Sequence, residues 1–215
     1  MFKLCVFDMD GTVVNSLADI AAAMNRSLEK MGKPAHSENE YRYFVGDGME
    51  VLCKRALKDG NDAEVTRLTE LYRADYLLNC CDKTAPYDGM VDLIKRLRGN
   101  NVKTAMLSNK PHPQVMRIFD SLFREKLFDT ILGQTPEFPS KPKPDSLFHI
   151  MKLHCVSCDD IAYIGDSNVD IELSKAAGVF SVGVTWGFRG EKELVKAGAD
   201  AIAHNTDELY NVLSK

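Results

Sequence analysis

The chain has 215 residues, of which 45% are hydrophobic and 27% are charged, and its formal net charge at pH 7 is −4. This length suits one domain, or one domain with an insertion, and the composition is ordinary for a globular protein. The negative charge argues against a general nucleic-acid surface, so we expect no nucleic-acid partner.

The N-terminal residues predict neither a signal peptide nor a membrane span. Only Met1, Phe2 and Lys3 precede the first short apolar run, which is unlike a secretion signal. No apolar stretch approaches the ~18 residues that a membrane-spanning helix needs. We therefore expect a cytoplasmic protein without a membrane partner. The sequence does not distinguish a monomer from a homodimer.

The chain begins with a predicted strand at 4–7, which leads into the acidic turn DMDGT at 8–12. Gly11 allows a sharp turn at low steric cost. Residues i and i+2 of a strand share a face, so Asp8 and Asp10 can point into one site. Aspartates can attack, transfer protons and bind a divalent cation. The alternative interpretation is a surface turn, because Asp and Gly both favour turns.

Residues 16–82 have helical periodicity, and none of their segments resembles a strand. Ser16 with Asp19, and Ser37 with Glu40, are patterns typical of helix N-termini. We predict that this segment is an all-helical insertion.

After residue 83, predicted strands alternate with predicted helices. The strands are 102–107, 128–132, 161–164, 179–184 and 201–202, and the helices lie near 91–97, 113–120, 145–153, 170–177 and 207–213. This alternation favours an α/β fold with a Rossmann-like, doubly wound parallel sheet. The α/β core would comprise residues 1–15 and 83–215. The helical segment at 16–82 would be a cap domain, placed to act as a lid.

Polar residues follow the predicted strands at one edge of the sheet. They are Ser108 and Asn109 after the second strand, Lys141 in a proline-rich loop, and Asp166 and Asp170 after the fourth strand. In open α/β sheets the ligand site lies beyond the carboxyl ends of the strands. We therefore expect these residues to share one pocket with the acidic turn.

This set of residues has a chemical interpretation. Four carboxylates repel one another unless a cation offsets their charge, and all-oxygen ligands suit Mg²⁺. Lysine and hydroxyl donors suit an anionic phosphoryl group. Each residue taken singly also has a structural interpretation: Ser108 as a helix cap, Lys141 as a solvated loop residue, and the two later aspartates as turn and cap residues.

Two of the six cysteines, Cys155 and Cys158, have CxxC spacing. In a chain of this length without a secretion signal, thiols are favoured over a disulfide framework. A zinc site would need a second pair of ligands at suitable spacing, and the sequence offers none. The alternative is a helix-to-strand connection whose cysteines pack.

Four motifs, in this order, resemble the haloacid dehalogenase-like hydrolase superfamily over essentially the whole chain. They are FDMDGT at 7–12, LSNKP at 107–111, SKPKPD at 140–145 and IGDSNVD at 164–170. The resemblance implies that Asp8 is the nucleophile and Asp10 the general acid–base. The implied ligands of a Mg²⁺ cofactor are Asp8, Asp10 through its backbone carbonyl, Asp166 and, in support, Asp170. The implied phosphate-binding groups are Ser108, Asn109, Lys141 and the 9–12 turn, which contains Thr12.

Within the superfamily the chain is most similar to phosphoglycolate phosphatases, through its segments 16–28, 41–57, 108–111 and 185–188. This implies a Mg²⁺-dependent phosphate monoester hydrolase that acts through an aspartyl-phosphate on phosphoglycolate or a similar small phosphorylated metabolite. The candidate substrate contacts in the cap are Gly46, Asp47, Gly48 and Arg55. An arginine suits a carboxylate, although Arg55 also fits as a solvent-facing residue of an amphipathic helix.

The presence of the second aspartate, Asp10, helps to distinguish among the other activities of the superfamily. Similar dehalogenases and phosphonoacetaldehyde hydrolases lack it, so Asp10 disfavours both. Sugar phosphomutases keep both aspartates, and they stay open together with pyrophosphatases and nucleotidases of similar build. A non-catalytic binding protein would be expected to have lost a catalytic residue, and the sequence shows no such loss.

Overall fold

The core of the computed structural model, which describes residues 1–123 and 125–214, is a parallel sheet of six strands. The described residues form eight strands in all, which are β1 (Leu4–Phe7), β2 (Val14–Asn15), β3 (Ala85–Pro86), β4 (Lys103–Pro111), β5 (Thr130–Gln134), β6 (Ile161–Gly165), β7 (Phe180–Val184) and β8 (Ala201–Ala203). The large sheet has the order β5-β4-β1-β6-β7-β8, and β2 pairs with β3 in a separate antiparallel ladder.

The helices flank this sheet and fill the segment between β2 and β3. They are α1 (Leu17–Lys30), α2 (Glu38–Phe44), α3 (Met49–Leu57), α4 (Asp62–Asn79), α5 (Met90–Gly99), α6 (His112–Leu122), α7 (Asp145–His154), α8 (Asn168–Ala177), α9 (Glu191–Ala197) and α10 (Thr206–Leu213). None of these helices is both long and apolar enough to cross a membrane.

Strand β1 shows that the sheet is buried on both faces. Its four side chains are fully buried. Cys5 and Phe7 pack in one hydrophobic cluster, whereas Leu4 and Val6 pack in another. Successive residues of a strand point to opposite faces, so the two clusters lie on opposite sides of the sheet. This arrangement confirms the predicted α/β class with a doubly wound parallel sheet.

The last residue of β1 is level with one residue of each neighbouring strand. Phe7 at the end of β1 pairs with Met106 of β4 and with Ile164 of β6. The polar residues that follow these positions in the three segments therefore meet at one edge of the sheet.

Helices α1 to α4 follow one another without a strand between them in the described residues 16–84. Helices α1 and α4 pack together through apolar residues at helical spacing, among them Met24 and Leu68. The ladder of β2 and β3 pairs Val14 with Pro86 and Asn15 with Ala85. The chain therefore leaves and rejoins the core at adjacent points.

The start of α1 differs from the prediction that Ser16 and Asp19 form a capping pair. The Ser16 hydroxyl makes no cap hydrogen bond and instead donates to Oδ1 of Asp10. The Asp19 carboxylate accepts from the backbone N–H groups of Lys83 and Thr84 at 2.8–3.0 Å. Both side chains thus bond to groups outside α1 instead of to its first turn.

Other element boundaries differ for local reasons. Strand β4 continues to Pro111, so Ser108 and Asn109 belong to the strand, with an irregular register against β5 beyond Leu107. Helix α9 has no counterpart in the prediction. Leu194 is its one buried residue within the described helix, so α9 carries no apolar periodicity that could reveal it.

The six cysteines are free thiols, as predicted. Cys155 follows α7 in a left-handed conformation and is exposed. The expectation that this cysteine packs against the protein is therefore wrong. The Sγ of Cys158 donates to the carbonyl of Ala177 at 3.3 Å. In the part of the chain that the structure describes, neither cysteine belongs to a group of side chains that could hold a metal.

Candidate active site

A pocket lies between the carboxyl edge of the sheet and the helical segment. Its volume is about 60 Å³, several times the ~10–15 Å³ that one water molecule needs, so it suits a small ligand. Among the residues predicted from sequence, those that line it are Asp8, Asp10, Gly46, Gly48, Ser108, Asn109, Lys141, Asp166 and Asp170. Thr12, Asp47 and Arg55 do not line it.

Three buried carboxylates lie close together beyond the carboxyl ends of β1 and β6. Asp8, Asp166 and Asp170 have carboxylate oxygens within 4.8 Å of one another, and each residue is at most 6% exposed. The Nζ of Lys141 lies 2.6 Å from Oδ1 of Asp8 and 2.7 Å from Oδ1 of Asp170. One lysine therefore contacts two of the three carboxylates, and the cluster carries excess negative charge when all three are ionised.

Burial and neighbouring charges shift the pKa values of this cluster. Burial raises the pKa of Asp8 from its ordinary 3.8 to about 7, against the opposing effect of Lys141. Burial, together with Asp8 and Asp170, holds the pKa of Asp166 well above its ordinary value. Burial disfavours the charged form of Lys141, but Asp170 and Asp8 outweigh it and raise its pKa.

The donor set of the cluster suits the metal that the resemblance implies. Its ligand atoms are carboxylate oxygens, which Mg²⁺ prefers in proteins. Its surplus negative charge is what a divalent cation would offset. The carboxylates of Asp8, Asp166 and Asp170 therefore fit a Mg²⁺ ion.

Asp166 is held in place by the loop that follows β7. The backbone N–H of Phe188 donates to Oδ2 of Asp166 at 2.6 Å. Gly11 has φ of +91°, and a β-carbon at Gly11 or at Gly187 would overlap the Asp166 side chain. Only glycine fits at these two positions without displacing the carboxylate.

Asp10 lies in the same pocket, but its side chain contacts a different set of residues. Its side chain does not belong to the carboxylate cluster. Oδ1 of Asp10 accepts from the hydroxyl of Ser16 and lies 2.9 Å from Nζ of Lys110. The same ammonium group donates to the hydroxyl of Tyr76 at 2.6 Å. The two aspartates of the acidic turn therefore have distinct surroundings, as their predicted roles require.

The predicted phosphate-binding residues are partly used for internal contacts. Asn109 donates to the carbonyls of Gly46 and Lys141 at 3.0 and 3.2 Å, and it accepts from the N–H of Lys141 at 2.8 Å. It thus ties two loops together at the rim of the pocket. The hydroxyl of Ser108 accepts from the N–H of Lys110 at 3.2 Å. The hydroxyl of Thr12 is buried and unpaired among the described residues.

The predicted substrate contacts of the cap divide into two pairs. Gly46 and Gly48 line the pocket. Arg55 and Asp47 instead form an ion pair of 2.6 Å, and Arg55 also donates to the carbonyl of Phe44 at 3.0 Å. These partners hold the guanidinium away from the pocket, so the structure does not bring Asp47 and Arg55 to the site.

Four polar residues that line the pocket have no role in the sequence prediction: Lys110, Gln114, Ser167 and Arg189. Lys110 directly follows Ser108 and Asn109 in one strand, which is a signal that could have identified it. Gln114 and Arg189 have no such signal. The rest of the wall includes apolar side chains of the helical segment, such as Ile20, Leu52 and Tyr72.

Two arginines connect the helical segment with the loop after β7. Arg42 of α2 donates to the carbonyls of Gly187 and Phe188 at 2.9 and 3.0 Å. In the opposite direction, Arg189 donates to the carbonyls of Val45 and Tyr43 at 3.0 and 3.3 Å. The helices and the loop that holds Asp166 are therefore joined by reciprocal hydrogen bonds.

Known proteins resemble this chain over most of its length. A family model for haloacid dehalogenase-like hydrolases matches residues 5–184. A phosphoglycolate phosphatase of Pseudomonas putida is 33% identical over 192 residues, covering 86% of this chain and 70% of that one. A phosphoglycolate phosphatase of Colwellia psychrerythraea is 30% identical over 220 residues, covering 99% and 97% of the two chains.

Solved structures show the same similarity. A protein of Lactobacillus delbrueckii subsp. bulgaricus, assigned as a phosphoglycolate phosphatase, is 31% identical and superimposes with a TM-score of 0.94 over 99% of this chain and 98% of that one. A haloacid dehalogenase-like family protein of Streptococcus pneumoniae has a TM-score of 0.89 over 98% of each chain at 23% identity, which supports the fold alone.

Proposed function

The chain belongs to the haloacid dehalogenase-like hydrolases and is a phosphatase of that family, and we propose that it hydrolyses phosphoglycolate or a similar small phosphorylated metabolite. The observation that carries this proposal is the asymmetric pair of aspartates. Asp8 is held by Lys141 among buried carboxylates, whereas Asp10 is held by Lys110 in the same pocket. The small volume of the pocket supports a small substrate.

In the proposed reaction Asp8 attacks phosphorus and forms an aspartyl-phosphate. The ion pair between Lys141 and Oδ1 of Asp8 restricts rotation of the carboxylate and so orients the attack. The charge of Lys141 and the hydroxyl of Ser108 stabilise negative charge on the transferring group.

Mg²⁺ would be held by Asp8, Asp166 and the backbone carbonyl of Asp10, with Asp170 in support. The bound ion would supply positive charge opposite the transferring phosphoryl group. The hydrogen bond from Phe188 keeps Asp166 oriented toward this position.

Asp10 would act as the general acid and then as the general base. It protonates the leaving oxygen in the first displacement, and it removes a proton from the water that attacks the aspartyl-phosphate in the second. Ser16 and Lys110 both contact Oδ1 of Asp10. Oδ2 is therefore the oxygen that handles the proton.

The proposal extends to the domain organisation. Residues 16–82 would form a cap domain over the core of 1–15 and 83–215, and the cap would exclude water from the pocket during the reaction. The support is that both parts of the chain contribute wall residues, for example Leu52 from α3 and Ser108 from β4.

The proposal is tested by phosphate release from a panel of esters with Mg²⁺ present. The panel contains phosphoglycolate, sugar phosphates, nucleotides and pyrophosphate. We expect the highest kcat/KM for phosphoglycolate or another small monoester. A flat profile would reject a dedicated enzyme for small carboxylated esters. Isomerisation of a sugar phosphate without phosphate release would identify a mutase instead.

A further inference from the structure

Packing does not explain why a polar residue, Gln114, occupies a buried position in the pocket. It lies near the start of α6, lines the pocket and is 3% exposed. Its Nε2 is buried and has no hydrogen-bond partner among the described residues. Burial of an unpaired amide is unfavourable, and an apolar side chain would fold better at this position. The amide is therefore available for a ligand.

The neighbouring ammonium group of Lys110 is also incompletely used. Lys110 lies four residues before Gln114 and lines the same pocket. Its Nζ contacts Asp10 and Tyr76. A lysine ammonium has three N–H donors, so one N–H is left for a ligand. The pocket thus offers both an uncharged donor and a cationic donor.

The proposed reaction places the leaving group beside these donors. Asp10 protonates the leaving oxygen, and Lys110 lies 2.9 Å from Asp10. In phosphoglycolate a single methylene separates the leaving oxygen from the carboxylate, so the proposed reaction places the carboxylate in the same pocket as Lys110 and Gln114. A carboxylate accepts several hydrogen bonds and gains from a cation beside it.

Resting on the phosphatase function proposed above, we propose that Gln114 is a specificity-determining residue whose amide N–H binds the carboxylate of the leaving group. Lys110 supplies the positive charge beside that carboxylate. The substrate class is then a phosphate monoester whose leaving group carries a carboxylate near the ester oxygen. Esters that lack the carboxylate fill the same pocket without this hydrogen bond.

The test compares phosphoglycolate with ethyl phosphate, in which a methyl group replaces the carboxylate. Loss of a hydrogen bond to a charged group predicts that Gln114→Leu lowers kcat/KM for phosphoglycolate by roughly 10- to 100-fold. The same change should alter kcat/KM for ethyl phosphate by less than about threefold. Gln114→Glu should reduce phosphoglycolate turnover further, because it sets a like charge against the substrate carboxylate.

Gln114→Met, which keeps the length of the side chain and removes the donor, should reproduce the leucine result and serves as the second variant if leucine disturbs folding. Equal losses for the two esters would show a structural role and overturn the inference, while leaving the phosphatase function standing. Absence of phosphate release from these two esters and from every ester of the panel above, by the unmodified protein, would instead overturn the proposed function itself.

Discussion

The backbone N–H of Phe188 donates a hydrogen bond of 2.6 Å to Oδ2 of Asp166. The carbonyl of Phe188 accepts a hydrogen bond of 3.0 Å from Arg42 of α2. One residue therefore connects a helix of the inserted segment with a carboxylate of the buried cluster. We therefore expect the position of α2 and the orientation of Asp166 to be coupled through this loop.

We expect Arg42→Ala to weaken Mg²⁺ binding and to lower turnover, because it releases the loop that orients Asp166. The Mg²⁺ concentration at half-maximal activity should rise by roughly 10-fold, the size expected for loss of charged hydrogen bonds. Mg²⁺-induced protection from thermal unfolding should weaken in parallel. Arg42→Lys, which keeps the charge, should recover part of the effect. Arg67 is exposed, and Arg67→Ala is the matched control; equal effects of the two alanine variants would contradict the coupling.

Asp8→Asn should abolish turnover while the fold stays intact, because the amide cannot serve as the nucleophile. The variant should also unfold at a higher temperature than the unmodified protein when no metal is present at neutral pH, since burial disfavours the Asp8 charge. Phosphate release and circular dichroism melting measure the two effects. The exposed Asp59 provides the control Asp59→Asn. Near-normal activity of Asp8→Asn would show that the nucleophile lies elsewhere.

Asp10→Asn should separate the two displacements when the ester has a good leaving group. p-Nitrophenolate leaves without protonation, so Asp8 can still attack p-nitrophenyl phosphate in this variant. Hydrolysis of the aspartyl-phosphate needs a base and should be slow. Rapid-mixing absorbance should therefore show a burst of p-nitrophenolate equal to the enzyme concentration. A steady rate like that of the unmodified protein, without a burst, would remove Asp10 from the role of base.

Stability in the absence of metal should depend on pH through the buried carboxylates. The pKa of Asp8 is about 7 in the folded protein against an ordinary 3.8, so the folded state binds more protons than the unfolded state between these values. The free energy of unfolding therefore falls as the pH rises from about 4 to about 7. The raised pKa of Asp166 acts in the same direction.

Mg²⁺ should reverse this loss, because it competes with protons for the same carboxylates. At ~100 times its Kd, a ligand stabilises the folded state by about 2.7 kcal/mol. The increase in Tm on adding Mg²⁺ should consequently be larger at about pH 8 than at about pH 5. Melting curves at both pH values, with Ca²⁺-free buffers, measure this difference. An increase in Tm that is independent of pH would argue against binding at these aspartates.

The edge of the sheet and much of the site could be predicted from the sequence. Asp8 and Asp166 each follow a short apolar run, and parallel strands bring the ends of such runs together. In the structure, the two runs end side by side, because Phe7 pairs with Ile164. Helical periodicity was equally informative for α1 to α4, where apolar residues recur on one face.

The remainder depends on contacts between residues that are distant in sequence. The sequence predicts Arg55 as a substrate contact, but the structure shows that its guanidinium forms an ion pair with Asp47. Gln114 resembles any polar residue near a helix N-terminus, and only the structure shows that its amide nitrogen is buried without a partner among the described residues. Tyr76 lies on an ordinary helix face, and its contact with Lys110 spans 34 residues. Local propensity carries no information about such pairs.

The short ladder of β2 and β3 has an evolutionary consequence. Val14 pairs with Pro86 and Asn15 with Ala85, and segments whose ends lie side by side can be exchanged between proteins without disturbing the rest of the fold. Such an exchange would replace pocket residues such as Tyr72, while Asp8 would stay on its own strand. On the proposed mechanism, such an exchange would change the substrates that the pocket admits while leaving the attacking aspartate in place.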